Sequence, residues 1–163
     1  AMAQPGRILR LAGAAAPAPA SPALAAALLT LADGTTPLHL APGHDTPELR
    51  AWLAFHTGAP LALRAEAAFA VGTWAALMPL ADYEVGTAEY PDRSATLIVE
   101  LPRLAPEGAR LTGPGIETEA RLSLPDIAPF VWNAGRFPLG LDFLFTCGDR
   151  LAALPRTTRV EAG

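Results

Sequence analysis

Few side chains in this sequence of 163 residues belong to the types that carry out nucleophilic, acid–base or metal chemistry. Cys147, the only cysteine, follows an apolar run and precedes Gly148-Asp149. A strand that ends in a turn can present a nucleophile there. A small buried residue at a hairpin corner explains the position as well, and we favour it because no histidine is near in sequence. The lone cysteine excludes an intrachain disulfide and a Cys-rich zinc site.

A second candidate lies close to the C-terminus, where Arg150, Arg156 and Arg159 are interleaved with Thr157 and Thr158. Guanidinium groups together with hydroxyls could hold a triphosphate or a phosphonate. Residues 156 and 159 differ by three, however, so on a regular strand their side chains point to opposite faces. That spacing favours a solvated edge, or salt bridges to a partner protein, over a single pocket.

Any ligand-binding set is therefore drawn from the last predicted strands and their flanks. Its candidate members are acidic, hydroxyl, thiol and guanidinium side chains: Asp142, Thr146, Cys147, Asp149, Arg150, Arg156, Thr157 and Thr158. No residue is assigned a catalytic role.

Four residues near the middle of the chain have metal-ligand chemistry: His39, His44, Asp45 and His56. Their spacing fits no standard zinc pattern, so we expect packing or helix-end roles and no metal site. Glu117 and Glu119 alternate on an extended segment, which predicts that both carboxylates face water.

Composition excludes several kinds of site. All 12 basic residues are arginine, so the sequence has neither a Schiff-base lysine for pyridoxal phosphate (PLP) nor a P-loop lysine for ATP. Gly113-Pro114-Gly115 lacks the spacing of a dinucleotide loop and is typical of a type II turn. The formal charge of −4 favours neither nucleic acid nor an anionic membrane as a partner. No apolar run is long enough to cross a membrane, and a single cysteine fits a cytoplasmic location.

Helical and extended patterns alternate along the chain without repeats. Strands are predicted at 7–11, 37–40, 67–71, 96–101, 109–112, 143–146, 151–154 and 157–160, and helices at 22–34, 45–58, 73–78 and 125–134. The run Leu97-Ile98-Val99 predicts a strand that is buried on both faces. This alternation predicts one α/β domain over residues 1–163, with a mixed sheet covered by helices.

Local signals define two of these helices further. The second helix is predicted to begin near Asp45 or Thr46, and Asp45 with Glu48 forms a capping-box pattern. Its inward stripe is predicted to consist of Leu49, Trp52, Leu53 and His56. The helix at 125–134 is predicted to turn three side chains inward, namely Ile127, Phe130 and Val131. The tryptophans at 52, 74 and 132 are predicted to anchor the core or an interface.

One long stretch carries a resemblance to a known family. Residues 137–150 (Phe-Pro-Leu-Gly-Leu-Asp-Phe-Leu-Phe-Thr-Cys-Gly-Asp-Arg) and 154–158 (Leu-Pro-Arg-Thr-Thr) resemble the C-terminal signature of the H component of the bacterial carbon–phosphorus lyase system. Shorter blocks agree in order, at 1–6, 55–60, 86–91, 94–97 and 111–116. The resemblance covers nearly the whole chain. Family members begin with a longer helical segment, which we expect to be missing here.

The resemblance implies a fold like a reduced large domain of PLP-dependent transferases, without the cofactor lysine and with no covalently bound cofactor. It implies a cytoplasmic, non-catalytic subunit that works with the G, I, J and L subunits and forms a homodimer when isolated. In that system, the G, H, I and L components displace adenine from MgATP, a substrate of the assembly, with a phosphonate. The product is a ribose 1-phosphonate 5-triphosphate, and the radical J component later cleaves the carbon–phosphorus bond.

Two alternatives to an accessory subunit stay open. One is a stand-alone enzyme that uses Cys147 or an acid near Asp142 and Asp149. The other is a binding module that recognises a nucleotide or a phosphonate through Arg150, Arg156 and the neighbouring threonines.

Overall fold

Strands and helices alternate along the chain in a computed structural model that describes residues 1 to 163. The strands are β1 (Leu9–Arg10), β2 (Leu38–Leu40), β3 (Phe69–Thr73), β4 (Thr96–Glu100), β5 (Ala109–Thr112), β6 (Ala120–Leu122), β7 (Asp142–Cys147), β8 (Arg150–Leu154) and β9 (Arg159–Glu161). The helices are α1 (Pro22–Leu31), α2 (Pro47–His56), α3 (Trp74–Leu77) and α4 (Ala128–Ala134). Two 3₁₀ turns lie at Arg64–Glu66 and Leu80–Asp82.

Six of the strands form one mixed sheet in the order β1-β8-β7-β4-β3-β2. Strands β2, β3, β4 and β7 are parallel, whereas β8 and β1 are antiparallel to their neighbours. The other three strands form a small antiparallel sheet in the order β6-β5-β9. The predicted α/β architecture with a mixed sheet is confirmed.

The central strands alternate their side chains between two apolar cores. On one face, Val99 and Phe145 pack against residues of α3, α4 and the small sheet. On the other face, Ile98 and Leu144 pack against residues of α1 and α2. Because β4 is covered on both faces, its three central residues are all apolar, as the sequence predicts.

Four aromatic rings fix α3 and α4 on the first of these faces. The ring of Trp74 stacks on Phe130 with centroids 5.0 Å apart. Phe130 in turn meets Phe143 edge-on at 5.0 Å and Phe145 edge-on at 5.8 Å. Such pairs contribute about 0.5–1.5 kcal/mol each beyond the burial of their surface. The prediction that Trp74 anchors the core is therefore confirmed.

Of the two predicted starts of α2, Asp45 and Thr46, the structure has the second. The Oγ1 of Thr46 accepts a hydrogen bond from the backbone N–H of Leu49 at 3.2 Å, so Thr46 is the N-cap. Asp45 lies outside the helix, and its carboxylate forms an ion pair with Arg50. The capping-box prediction is wrong because a threonine, itself a good cap, directly follows the aspartate.

Two predicted inward positions are also wrong. His56 ends α2 exposed to solvent, while Leu49 and Leu53 supply the buried face of that helix. Val131 in α4 is 51% exposed, because the short helix turns Phe130 and Asn133 inward instead. Helix α1 ends at Leu31, short of the predicted Gly34.

The small sheet contains one strand that the sequence did not indicate, β6. Glu119, just before it, is exposed, as predicted for both Glu117 and Glu119. Its carboxylate accepts a hydrogen bond from Nε of Arg110 at 2.7 Å. Short polar edge strands of this kind carry little periodic signal, because they offer only three residues for alternation.

Replacement of Thr46 by Ala tests the assignment of the α2 cap. We expect Thr46→Ala to lower the free energy of unfolding by about 1 kcal/mol, because one helix-end N–H loses its acceptor. Asp45→Ala is the matched control and removes only an exposed ion pair, so it should cost less. Urea unfolding of the two variants compares them, and a larger loss for Asp45→Ala would restore the capping-box assignment.

Candidate functional site

Strand β7 and its neighbours divide the eight candidate residues between two edges of the large sheet. Asp142 begins β7, whereas Thr146 and Cys147 end it. Strand β8 then runs back antiparallel, so Asp149 and Arg150 lie at the carboxyl end of β7, while residues 156–158 return to its amino end. At about 3.3 Å per residue, the two ends of β7 lie about 16 Å apart. The candidates therefore form two groups and not one pocket.

At the amino edge, Arg156 is held by groups of the protein itself. Its Nη2 donates to Oδ2 of Asp142 at 2.6 Å, and its Nε donates to Oδ1 of the same carboxylate at 3.2 Å. Its Nη1 donates to the carbonyl oxygen of Pro91 at 2.7 Å, and Nη2 also donates to Oγ of Ser94. The side chains of the ion pair are only 13% and 21% exposed. This network ties the end of β8 to the loop before β4.

The sequence predicted a strand from residue 157 onward, but the residues directly after Arg156 form a turn instead. The backbone N–H of Thr158 donates to the carbonyl oxygen of Pro155 at 2.9 Å, which closes a turn, and β9 begins only at Arg159. Strand alternation therefore does not apply between 156 and 159. Both arginines line one pocket together with Thr157, contrary to the prediction of opposite faces. Thr158 is buried, and its hydroxyl has no hydrogen-bond partner.

At the carboxyl edge, the charged candidates make surface or backbone contacts. Arg10 donates to Oδ2 of Asp149 at 2.9 Å in an exposed ion pair. The Nη1 of Arg150 donates to the carbonyl oxygen of Leu104 at 3.1 Å. Cys147 is a partly buried free thiol and stands opposite Arg150 in the β7–β8 hairpin. Its position agrees with the expected hairpin corner.

Sequence reasoning missed one acidic residue at this edge, Glu100. It ends β4 beside Thr146, whose Oγ1 donates to Oε2 of Glu100 at 3.1 Å. The backbone N–H of Ser21, at the start of α1, approaches the same oxygen at 3.4 Å. Burial raises the pKa of the Glu100 carboxyl above its usual value, and the hydrogen bonds from Ser21 and Thr146 oppose that shift.

Glu100 also lines a pocket of about 530 Å³ that includes Thr73 and Trp74. Crevices at the carboxyl ends of parallel strands are common ligand sites in α/β proteins. The signal available in the sequence was a carboxylate that directly follows a run of buried strand residues. That signal is weak on its own, because a strand-end carboxylate is more often solvated.

The three histidines lie in different environments. The Nδ1 of His39 is 3.1 Å from the carbonyl oxygen of Ala62. His44 is buried, and burial lowers its pKa. His56 is exposed at the end of α2 and touches the rings of Trp52 and Phe55. The structure contains no group of three or more His, Cys, Asp or Glu side chains that could hold a metal ion.

Exposed apolar groups form further candidate surfaces. A pocket of about 590 Å³ is lined mainly by apolar residues of α1, β1 and the start of the chain, and Cys147 is not among them. Around α4, Val131, Trp132 and Phe137 are 51%, 42% and 62% exposed. The guanidinium of Arg136 lies 4.6 Å from the centre of the Trp132 ring. No helix in the structure has both the length and the apolar character needed to span a membrane.

Fold and site together place the chain among mixed α/β proteins. Its polar clusters lie at the two ends of the central parallel strands, and exposed aromatic side chains surround α4. The chain belongs to the family of bacterial phosphonate metabolism proteins called PhnH, which matches residues 1–161. A relative from Rhizobium meliloti (strain 1021), named alpha-D-ribose 1-methylphosphonate 5-triphosphate synthase subunit PhnH, is 42% identical over 170 residues. That alignment covers 98% of this chain and 84% of the relative.

A second relative, from Stutzerimonas stutzeri, is provisionally named as a C–P lyase subunit protein, HtxG. It is 40% identical over 85 residues, which cover 47% of this chain and 43% of the relative. The family resemblance identified from residues 137–158 and the supporting blocks is confirmed.

Replacement of Asp142 tests whether the Arg156 network is structural. We expect Asp142→Ala to lower the free energy of unfolding by about 2–4 kcal/mol, because it leaves a largely buried guanidinium without its carboxylate. Asp149→Ala is the matched control, since its ion pair with Arg10 is exposed and should be worth less than about 1 kcal/mol. Equal losses in denaturant unfolding would show that the Asp142 pair is not a structural tie.

The raised pKa of Glu100 predicts a specific dependence of stability on pH. In the unfolded chain this carboxyl has its ordinary pKa of 4.5, and burial raises the pKa in the folded protein. The folded state therefore binds the proton more tightly, so its stabilising contribution is full below pH 4.5 and is lost as the pH rises through the folded pKa. Glu100→Gln removes this contribution.

The measurement compares wild type and Glu100→Gln by urea unfolding at several pH values. We expect the variant to gain stability relative to wild type as the pH rises from 4.5 towards neutrality. The difference in unfolding free energy between the two proteins is compared, because the contributions of the other titrating groups are the same in both and cancel. A difference that is independent of pH would show that Glu100 titrates alike in both states.

Proposed function

We propose that the chain is a subunit of the bacterial carbon–phosphorus lyase machinery for phosphonate catabolism. It helps the assembly that transfers the ribose triphosphate of MgATP to a phosphonate with release of adenine. The family match and the name of the Rhizobium meliloti relative, a synthase subunit, support this proposal. MgATP is a substrate of the assembly, and this chain binds no cofactor covalently.

The single observation that favours an accessory role is the division of the candidate residues between two edges of the sheet. Asp142 and Arg156 bind each other at one edge, and Asp149 and Arg150 are engaged at the other. Catalysis by this chain alone would need several functional groups within hydrogen-bond reach of one reacting centre. A surface that joins other subunits requires no such convergence.

The aromatic groups around α4 support a subunit contact there. Trp132 is 42% exposed, with Arg136 stacked over its ring. Tryptophan and arginine are enriched among the residues that dominate binding energy at protein interfaces. Val131 and Phe137 enlarge the apolar area beside them. We infer that this surface, called the α4 surface below, meets another component of the assembly.

The finer features implied by the family resemblance belong to the same proposal. The partners are the G, I, J and L subunits, and the chain forms a homodimer when isolated, with no nucleic acid or membrane as a partner. Its residues 1–163 act as one cytoplasmic domain, and its fold is a reduced relative of the large domain of PLP-dependent transferases without the cofactor lysine. The mixed sheet flanked by helices is compatible with that relationship.

Co-elution with the G and I subunits tests the proposal and the role of the α4 surface. We expect the purified chain to elute with them as one complex in size-exclusion chromatography, and Trp132→Ala to weaken that complex at least about tenfold in dissociation constant. Phe55→Ala is the matched control, because it removes an aromatic side chain that is 84% exposed on α2. Failure of the wild-type chain to associate with folded partners would contradict the proposal.

A further inference from the structure

The pocket beside the turn at 155–158 has a composition unlike its surroundings. It encloses about 520 Å³, within the range of small-molecule sites, and only two of its eight lining residues are hydrophobic. Its lining includes two arginines and two threonines but no carboxylate. The whole chain carries a formal charge of −4, so a pocket lined by guanidinium groups without carboxylates is a local feature.

Arg159 supplies the charge that is free to act in this pocket. It begins β9 directly opposite Thr112 of β5, so the two side chains are cross-strand neighbours on the outer face of the small sheet. The next outward residue of β9, Glu161, is already paired with Arg110 at 2.7 Å. Arg159 itself takes part in no ion pair.

The guanidinium of Arg156 is held in place by the protein and has one N–H group without a partner. A guanidinium has five N–H donors. Four of them are used by Asp142, Pro91 and Ser94, which leaves one N–H on Nη1 without a partner. The Asp142 carboxylate neutralises its charge, so Arg156 contributes geometry more than net attraction.

Two hydroxyls and an aromatic ring complete the lining. Thr112 and Thr157 can each donate a hydrogen bond to an anionic oxygen. Phe137 is 62% exposed, and its ring offers an apolar face at the same pocket. Guanidinium and hydroxyl donors next to an aromatic face match an organic molecule that ends in a multiply charged oxyanion.

We propose that this pocket, formed by Thr112, Phe137, Arg156, Thr157 and Arg159, binds the tetrahedral phosphorus oxyanion of a nucleotide or a phosphonate. Arg159 forms the ion pair with the anion, the threonine hydroxyls donate to its oxygens, and Phe137 packs against the organic part. The pocket and its preference for an oxyanion stand on geometry, whereas the choice of phosphorus as the central atom rests on the proposed function. Of the three arginines that the sequence offered for such a site, the pocket keeps Arg156 and Arg159 and excludes Arg150, which lies at the other edge.

Calorimetric titration of the full chain at low salt, with ATP, inorganic triphosphate and methylphosphonate as three separate probes, tests the proposal. We expect at least one probe to bind and the binding to weaken as salt is raised, because the contact is between exposed charges. Arg159→Ala should weaken binding at least about tenfold, since it removes a charge-assisted contact. Arg103→Ala, which loses the same charge from an exposed ion pair elsewhere, should bind as wild type does.

The pattern among the probes identifies the source of the oxyanion. Binding of ATP and triphosphate indicates a polyphosphate, binding of methylphosphonate alone indicates a phosphonate, and either supports the proposal. With ATP, Phe137→Ala should weaken binding further than it does with triphosphate. No binding of any probe up to millimolar concentration, or equal binding by wild type and Arg159→Ala, would overturn the proposal. Because the other subunits are absent from this experiment, its failure is distinct from a failure of co-elution.

Discussion

The parallel register between β4 and β7 is the constraint on which the rest of the structure depends. It places Thr96 opposite Asp142 at one edge and Glu100 opposite Thr146 at the other. Both strands are buried on both faces, so a slip of one residue would exchange the side chains of the two cores. Large rings on one face and aliphatic side chains on the other make that exchange costly. The register therefore sets the positions of both polar clusters and places them at opposite ends of the two strands.

The amino edge is where this constraint has the clearest consequence. Asp142 begins β7, and its carboxylate accepts hydrogen bonds from the backbone and the guanidinium of Arg156, which follows the antiparallel strand β8. The same guanidinium donates hydrogen bonds to Pro91 and Ser94 and so holds the loop that precedes β4. The turn at 155–158 follows, and Arg159 then begins β9, so the chain passes here from the large sheet to the small one. A largely buried ion pair thus holds the chain where it leaves the large sheet. Arg156 also lines a pocket whose net positive charge comes from Arg159.

The chain's lack of lysine shapes how such sites are built. An arginine keeps its charge when partly buried and can bond several acceptors in fixed directions. Arg156 uses this property to make four contacts with the protein and still present one donor. A lysine at the same position would act as a point charge and could not hold three separate groups in one plane.

Much of the fold could be predicted from the sequence, because strong periodic signals mark its central elements. The apolar run at 97–99 indicated a strand covered on both faces, and the helical patterns at 22–34 and 45–58 indicated α1 and α2. Short elements at the edges could not be predicted in this way. Strand β6 has three residues, and the cap of α2 was displaced by one residue because both Asp45 and Thr46 are good caps.

The candidate site was harder to predict, since its geometry depends on contacts between distant segments. Nearness in sequence grouped residues 142–158, yet the β7–β8 hairpin sends them to two edges. Strand alternation predicted opposite faces for Arg156 and Arg159, and the turn at 155–158 removed the basis for it. Glu100 was missed because only its pairing with β7 reveals its buried surroundings.

The central hypothesis is that this chain assists a multi-subunit reaction without supplying a nucleophile. Reconstitution with the G, I and L subunits, MgATP and methylphosphonate tests it most directly, with the rate of adenine release as the measurement. We predict that release falls when this chain is omitted and is fully restored by a Cys147→Ala variant. Equal release without the chain, or a Cys147→Ala variant that joins the assembly but restores no release, would contradict the hypothesis.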